Sequence, residues 1–279
     1  MNLLTKIHKP GHKAKSRISL LMSMAAAFAL WWQLTQRGAN WNPAIFDDIF
    51  HSPLTWAVTF VLSGLNWGLR IYKWQRLAGH VRPLTFREAL CQTLKTFSWS
   101  SVIPFNGGEI LSKPFFFGKH RKKLFSLSTW EQLSQMAVTV TMGLLALLWH
   151  GKALWSAALL AVLAFPGAKN IRFKALIWSW WRYMAFGGLM IYMLTTHAHI
   201  PWSMAIARVP LYYLAVSVVP IIQWAGWAWQ GNMALLVFPM AEGEKLMAVV
   251  LWLWAWQTLL PMLAGGLLLM LNRKCGYVD

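Results

Sequence analysis

Few acidic residues are present in this sequence, and two of them stand within apolar stretches. Glu109 follows a break at Pro104, Gly107 and Gly108, at the point where a helix restarts. A carboxylate in that position faces free backbone N–H groups and the positive end of the helix, which favours its charged form. Lys113 lies four residues further on, a spacing that favours an ion pair on one helix face. We predict that this pair either takes part in function or only holds the segment together.

Three further polar residues are placed at depth in apolar sequence. Glu131 lies one turn inside a long apolar stretch, with Gln135 four residues later on the same face. Arg182 lies inside another apolar stretch, and its guanidinium can meet Glu131, bind a lipid phosphate or form a structural pair within a bundle. Ionisable groups at membrane depth are costly, and they usually face a bundle interior or a wet cavity. These residues are therefore candidates for a site.

Two glutamines offer hydrogen bonds without charge in a stretch that is interrupted by Pro220, Gly226 and Gly231. Interrupted segments in corresponding places of two halves point to the binding site of a transporter. The predicted substrate-binding residues are therefore Glu109, Lys113, Glu131, Gln135, Arg182, Gln223 and Gln230.

Metal, redox and catalytic chemistry have weaker signals. His197 and His199 lack further ligands nearby, so we predict no metal site. Cys91 and Cys275 stand alone without a redox motif, and we expect plain thiols. The sequence contains no nucleophile–base motif and no phosphate-binding glycine loop. We therefore expect no cofactor and no enzymatic activity.

The composition identifies the class of protein. Charged residues make up 12% of the 279 residues, half of the ordinary share of about a quarter, and hydrophobic residues make up 57%. A disordered chain needs low hydrophobicity, and a disulfide scaffold needs many cysteines. The sequence predicts a polytopic membrane protein, with residues 1–279 as one integral membrane domain.

We predict about six full transmembrane helices, since each crossing needs about 20 mostly apolar residues. These helices position the candidate site residues. A basic head, residues 1–17, precedes the first helix. With basic loops placed inside, both termini are cytoplasmic, and we expect a multi-pass protein of the bacterial inner membrane. The predicted spans are residues 18–34, 54–72, 127–149, 153–165, 175–194 and 246–271.

Residues 86–118 and 203–238 are apolar but broken, and each begins and ends on one side of the membrane. Non-helical backbone at membrane depth is tolerated only where protein or a wet cavity surrounds it. We predict two re-entrant helical hairpins in a loose inverted repeat, although two short full crossings would give the same topology. The predicted break or hinge residues are Pro104, Gly107, Gly108, Pro220, Gly226 and Gly231.

The net charge of +18 is the signal that could suggest nucleic acid. Most of the basic residues, however, fall in the segments that the topology places in the cytoplasm. There they fix orientation and attract anionic lipid headgroups. We therefore expect membrane lipids as partners, and no nucleic acid.

Short motifs occur along most of the chain from about Leu54 to Phe238. They are Asn66-Trp67, Lys73-Trp74-Gln75-Arg76-Leu77, Pro104 to Glu109, Glu131 to Gln135, Arg182-Tyr183 with Phe186, and Pro220 leading to Gly231-Asn232. These motifs resemble the transmembrane region of the lysylphosphatidylglycerol synthase family, also called flippase-like, and in particular its stand-alone Bacteroidetes-type members. The resemblance implies an inner-membrane bundle with broken helices that moves aminoacylated phosphatidylglycerol between leaflets. Synthase activity is not expected, because in that family it belongs to a soluble aminoacyl-transfer domain.

Some charges of that family are replaced in this sequence. Asn106 stands where the family has an arginine or another polar residue before the Gly-Glu pair, and Gln230 and Gly226 replace charged residues of the second broken segment. These differences make a degenerate member with a structural role credible.

Two functional hypotheses follow. The first is a transporter or flippase for an anionic or polyprenyl-type lipid, with Glu109, Lys113, Glu131 and Arg182 lining a midplane cavity. The alternative is a non-catalytic subunit that docks another membrane protein through a Trp-rich surface. As protein partners we expect another membrane protein or a second copy of the chain in a homodimer. Burial of Glu109 and Glu131 against each other or against Arg182 would weaken the transport hypothesis.

Overall fold

The computed structural model describes residues 10–36, 43–100, 107–118, 120–149, 171–218, 223–271 and 275. These residues are helical and contain no strand, which confirms the all-α class. Short 3-10 turns lie at Pro43–Phe46, Lys113–Phe116 and Gln223–Ala225, and a π-helical turn at Ala255–Leu259 joins the last two helices. The helices are α1 Pro10–Gln36, α2 Asp47–Phe50, α3 Pro53–Ala78, α4 Phe86–Ser100, α5 Gly107–Ser112, α6 Arg121–Trp149, α7 Ile171–Thr196, α8 Trp202–Val218, α9 Gly226–Val237, α10 Gly243–Trp254 and α11 Leu260–Met270.

Two of the described helices are long and apolar enough to cross a membrane. They are Arg121–Leu148 of α6 and the continuous helix Gly243–Met270 formed by α10, the π turn and α11. Helices α3 and α7 have 26 residues each, but basic residues in α3 and a Trp-Trp-Arg-Tyr run in α7 make them less apolar. The prediction of about six spans therefore stays a prediction, and span 153–165 lies outside the described residues.

Helix α3 has its polar residues inside and its apolar residues outside. Large apolar side chains on its other face are open to the surroundings, among them Phe60, which is 68% exposed, and Val61, which is 62% exposed. This pattern is the reverse of that of a helix on the surface of a soluble protein. The buried polar side chains, which we call the α3 polar face, are Thr55, Thr59, Ser63, Asn66, Arg70 and Lys73.

The main apolar core lies between α1, α7, α9 and α10. Gly231 lies in the interior of α9 and does not break it, so the prediction of a hinge at this residue is wrong. A Cβ atom there would come within 2.7 Å of Met247 Sδ and 3.0 Å of Leu30 Cδ1. One residue on, Asn232 Nδ2 donates to the carbonyl of Ala26 at 2.6 Å. Gly231 is therefore a packing residue that lets α9 approach α1 and α10.

The described parts of the two predicted broken segments each contain two helices. Residues 86–118 form α4 and the short α5, which begins at Gly107, and residues 203–238 form most of α8 and all of α9, which begins at Gly226. Gly108 lies where α5 meets the end of α4, because a Cβ atom there would overlap Ser100 Cα. Pro104 and Pro220 lie outside the described residues.

The expectation of plain thiols is wrong. Cys91 of α4 and Cys275 form a disulfide, with their Cα atoms 5.6 Å apart. Cys275 is buried, and its carbonyl accepts a hydrogen bond from Gln92 Nε2 at 3.3 Å. The pair is separated by 184 residues in sequence, a distance at which spacing carries no signal of pairing.

Helices α4 and α11 are in close contact at Gly265, and this contact can be tested by substitution. A Cβ atom on Gly265 would overlap the carbonyl oxygen of Leu94, whereas one on Gly266 would lie 3.5 Å from Ser98 Oγ. We expect Gly265→Ala to destabilise the fold by about 1–3 kcal/mol, the usual cost of overpacking. Gly266→Ala should be neutral or slightly stabilising, because alanine favours helices by up to about 1 kcal/mol over glycine. Thermal unfolding of the two purified variants measures the difference, and equal unfolding temperatures would contradict the packing described.

Candidate functional site

Lys113 joins two buried carboxylates. Its Nζ lies 2.5 Å from Glu131 Oε2 and 3.3 Å from Glu109 Oε2, and all three side chains are buried. The pair predicted between Glu109 and Lys113 is therefore confirmed. Because Lys113 follows α5 directly and Glu131 lies on α6, the same ammonium group also fixes the short helix to the long one.

Arg70 of α3 supplies the second partner of Glu109. Its guanidinium forms an ion pair with Glu109 Oε1. The group also lies 4.7 Å from the ring centres of both Trp67 and Phe97, in positions that suit cation–π contacts. Gln132 Nε2 donates to Glu109 Oε2 at 3.0 Å. Glu109 is therefore held from α3 and α6 as well as by the lysine that follows α5.

Lys73, one turn further along α3, has no carboxylate within ion-pair distance among the described residues. Its Nζ donates to the backbone carbonyl of Glu131 at 2.8 Å and to Ser179 Oγ at 2.9 Å, and it lies 3.3 Å from Ser134 Oγ. The side chain is fully buried. The ammonium form of this side chain is therefore held by neutral oxygens, without a carboxylate beside it.

Arg182 of α7 does not form the ion pair with Glu131 that was one of its predicted alternatives. Its Nε donates instead to Asn66 Oδ1 at 3.1 Å, although it lies within electrostatic range of Glu109 and Glu131. Asn66 Nδ2 in turn donates to Gln257 Oε1 at 2.6 Å. Arg182 is therefore positioned by a chain of amides and not by a carboxylate.

These residues together form a charge cluster with an excess of positive charge. Four cations face two carboxylates, so the described part of the cluster has a formal charge of +2 if every group is ionised. Burying charge is costly unless it is paired, so an unbalanced cluster favours an additional anion. The charge cluster consists of Arg70, Lys73, Glu109, Lys113, Glu131 and Arg182.

The carboxylates do not contact each other or Arg182. Both are buried, but their partners are Lys113 and Arg70, so the arrangement that would have weakened the transport hypothesis is absent among the described residues. Glu131 Oε1 is buried without a hydrogen-bond partner in the described part of the chain, and so is Gln135 Oε1. Gln135 Nε2 lies 3.5 Å from the Ser179 carbonyl, which places it beside the cluster, as predicted.

Two predicted site residues lie elsewhere. Gln223 stands in the turn before α9, where its carbonyl accepts a hydrogen bond from Trp254 Nε1 at 3.3 Å. The Gln230 side chain lies near Gly226, one turn back on the same helix. The described contacts of these glutamines are therefore at the junction of α9 and α10, and they do not join the charge cluster.

Arg70, Lys73 and Gln257 were missed as site residues. The basic residues at the end of α3 continue into Arg76, a pattern typical of a cytoplasmic flank, so their burial is not apparent from composition. The spacing of the α3 polar face is a usable signal, because steps of 4, 4, 3, 4 and 3 residues keep one face of a helix. Groups of three or more metal-ligating side chains were not found among the described residues.

No protein-family model matches the chain, and no curated protein matches it significantly. The flippase-like resemblance therefore stays a prediction that rests on the short motifs quoted above. The function of the chain has to be inferred from the charge cluster and its surroundings.

The shared lysine can be tested by removing it. We expect Lys113→Met to destabilise the fold by about 3–5 kcal/mol, because it leaves two buried carboxylates without their common partner. The matched control is Lys245→Met, since Lys245 forms an exposed ion pair with Glu242 at 3.0 Å. That substitution should cost about 1 kcal/mol or less. Denaturant unfolding of the purified variants gives both values.

A second substitution distinguishes charge from packing. Adding Glu131→Gln to Lys113→Met removes one of the two carboxylate charges that the lysine substitution leaves unpaired. Part of the lost free energy of unfolding should therefore return. An equally unstable double variant, or equal losses for the two lysine variants, would mean that the ion pairs do not stabilise the fold.

Proposed function

We propose that this protein is a polytopic membrane protein that moves an anionic or polyprenyl-type lipid between the two leaflets of the bacterial inner membrane. The observation that carries the proposal is the excess of buried basic side chains, four against two carboxyl groups. A lipid phosphate supplies the missing negative charge. The headgroup would exchange contacts with the cluster as the helices around it shift.

The distribution of polar and apolar side chains supports a membrane environment. Leu263, Leu267 and Met270 of α11 are exposed, and so are Leu21 and Phe28 of α1. Soluble monomers rarely expose contiguous apolar patches of this kind. The polar side chains of the cluster are buried, as intramembrane ionisable groups usually are. The two helices that are long and apolar enough to cross a membrane add to this support.

Arg182 is the cation best suited to receive the phosphate. A guanidinium presents two parallel donors to a phosphate, and its charge is permanent. Its described hydrogen bond is to the neutral amide of Asn66, which leaves the charge available. Hydrogen bonds between charged groups are about twice as strong as neutral ones. A phosphate at Arg182 would also lie within electrostatic range of Lys73.

Orientation and localisation follow from the basic segments. The runs around residues 119–123 and 169–174 belong inside by the positive-inside rule, which leaves both termini in the cytoplasm. The resemblance to the flippase-like family supports the same class of substrate. The proposal assigns no catalytic step to the cluster.

Transport can be measured with purified protein in liposomes that contain labelled anionic, zwitterionic and polyprenyl-phosphate lipids. We expect accelerated leaflet exchange of the anionic lipids. Arg182→Gln should slow this exchange by about tenfold or more, because it removes a charge-assisted contact. Arg76→Gln is the matched control, because Arg76 is exposed in the last turn of α3. This substitution should leave exchange unchanged.

The proposal would be overturned if lipids of all three classes exchanged between leaflets no faster than in empty vesicles. Equal loss in the two arginine variants would show that the cluster is not the binding site. Each variant should first elute as the wild-type protein does in size-exclusion chromatography, so that unfolding is not mistaken for lost transport.

A second candidate function is favoured by an aromatic surface. Trp56 lies 4.9 Å from Trp252 and 5.9 Å from Trp256 between ring centres, in edge-to-face contacts, and Phe60 lies beside Trp256. Trp56 and Phe60 are exposed. Aromatic residues are enriched at interfaces, so this surface suits a subunit that docks another membrane protein.

Solubilisation in a mild detergent distinguishes the two functions. A stoichiometric partner that is lost in Trp56→Ala would support the subunit function, with exposed Trp202 substituted by alanine as a control. A monomer or homodimer without such a partner would count against it.

A further inference from the structure

The α3 polar face forms a buried stripe along most of the helix. Its first and last residues, Thr55 and Lys73, are 18 positions apart, and at about 1.5 Å per residue the stripe is about 27 Å long. The hydrocarbon core of a bilayer is about 30 Å thick. The stripe therefore has the length of a complete crossing, and it ends in the charge cluster.

The partners of the stripe come from a different helix at each level. Thr55 Oγ1 lies 2.8 Å from His197 Nε2, beyond the end of α7, and Thr59 Oγ1 accepts from Trp252 Nε1 of α10 at 3.1 Å. Further along, Ser63 Oγ accepts from Gln257 Nε2 at 2.9 Å. Imidazole, indole and amide groups thus cover the hydroxyl groups of the part of α3 that precedes the cluster. These groups can exchange hydrogen bonds with a polar headgroup.

A pocket lies at the far end of the stripe from the cluster. It has a volume of about 290 Å³ and is lined by Asp48, His197, Glu244 and Lys245 among others. By the placement of basic loops, this end of α3 is the outer one. Burial lowers the pKa of the His197 imidazole, so this group is neutral at pH 7. The pocket is acidic and the cluster is basic, so the two ends of the stripe differ in their affinity for an anion.

Gln257 occupies the middle of the stripe. Its amide links Ser63 and Asn66, which are one turn apart on α3. Gln257 lies in the π-helical turn Ala255–Leu259, and such turns are rare and frequent at functional sites. Since Asn66 also holds Arg182, movement of Gln257 acts on the cluster as well.

We infer that the α3 polar face is the route by which a lipid headgroup passes between the outer pocket and the charge cluster, and that Gln257 closes this route at Ser63 and Asn66. The inference rests on the proposed function. It adds the path and its gate to the binding site.

Thiol labelling tests the route without requiring any transport. The sequence has two cysteines, and both are in the disulfide, so a single introduced cysteine is the reactive one. Ser63→Cys is exposed to a charged, membrane-impermeant methanethiosulfonate in proteoliposomes purified without reductant. Val61→Cys, on the exposed apolar face, is the matched control, and both are repeated in a Cys91→Ser, Cys275→Ser background.

We expect slow labelling of Ser63→Cys alone. When Gln257→Ala is added, labelling should become about tenfold faster, because a tenfold change corresponds to the free energy of ordinary hydrogen bonds that are lost. Val61→Cys should stay unlabelled in both forms. Thr59→Cys should follow the pattern of Ser63→Cys and serves as a second position if Ser63→Cys does not fold.

Three results would overturn the inference. No labelling of Ser63→Cys and Thr59→Cys with Gln257→Ala present would exclude the route. Fast labelling of Ser63→Cys with Gln257 in place would exclude the gate, and equal labelling of Val61→Cys would show general loosening. If the stripe positions are labelled but the protein moves no lipid, the proposed function is overturned, while the accessible polar path along α3 stands. If the protein moves lipid but the stripe positions are not labelled, the route is overturned and the proposed function stands.

Discussion

The charge cluster depends on one ammonium group between two carboxylates. Helix α5 has six residues, and an isolated helix of that length is not stable in water. Its position is fixed by the contacts of Glu109 and Lys113 with α3 and α6. The Lys113 ammonium also lies 4.7 Å from the centre of the Trp74 ring, whose Nε1 donates to Gln92 of α4. One lysine thus connects the broken segment to α3 and α6.

The polar interior places a second constraint on the molecule. In an apolar surrounding, the alternative to an internal hydrogen bond is an unsatisfied group, which is costly. The α3 polar face meets this requirement by taking partners from α4, α5, α6, α7, α10 and the π turn. The same partners hold the helices in register, so the residues of the charge cluster also organise the bundle.

Local patterns were sufficient for part of this arrangement. The Glu109–Lys113 pair is separated by one helical turn, so its formation depends on α5 and the turn after it. The breaks predicted at Gly107 and Gly226 stay predictions, because residues 101–106 and 219–222 lie outside the described part of the chain. Gly231 shows the limit of such reasoning, since a glycine in a helix can serve close packing instead of flexibility, and the neighbours that decide this, Leu30 and Met247, are distant in sequence.

Long-range contacts account for what was missed. Lys73 is buried because α6 and α7 cover the end of α3. The sequence of α3 itself does not indicate that these helices pack there. Arg182 pairs with an asparagine 116 residues away, although Glu131 was the more obvious partner by charge. Gln257 has no charge at all and is identified by the π turn that carries it. The identity of such partners is set by the fold as a whole.

The disulfide divides the chain into a closed ring and an open arm. Cys91 and Cys275 enclose the residues between them in a covalent ring, which includes Glu109, Lys113, Glu131 and Arg182. Arg70 and Lys73 lie before Cys91, on the arm that also contains α1 and α3. Assembly of the cluster is therefore the docking of an arm into a ring, and a single cut within the ring leaves both fragments attached to each other.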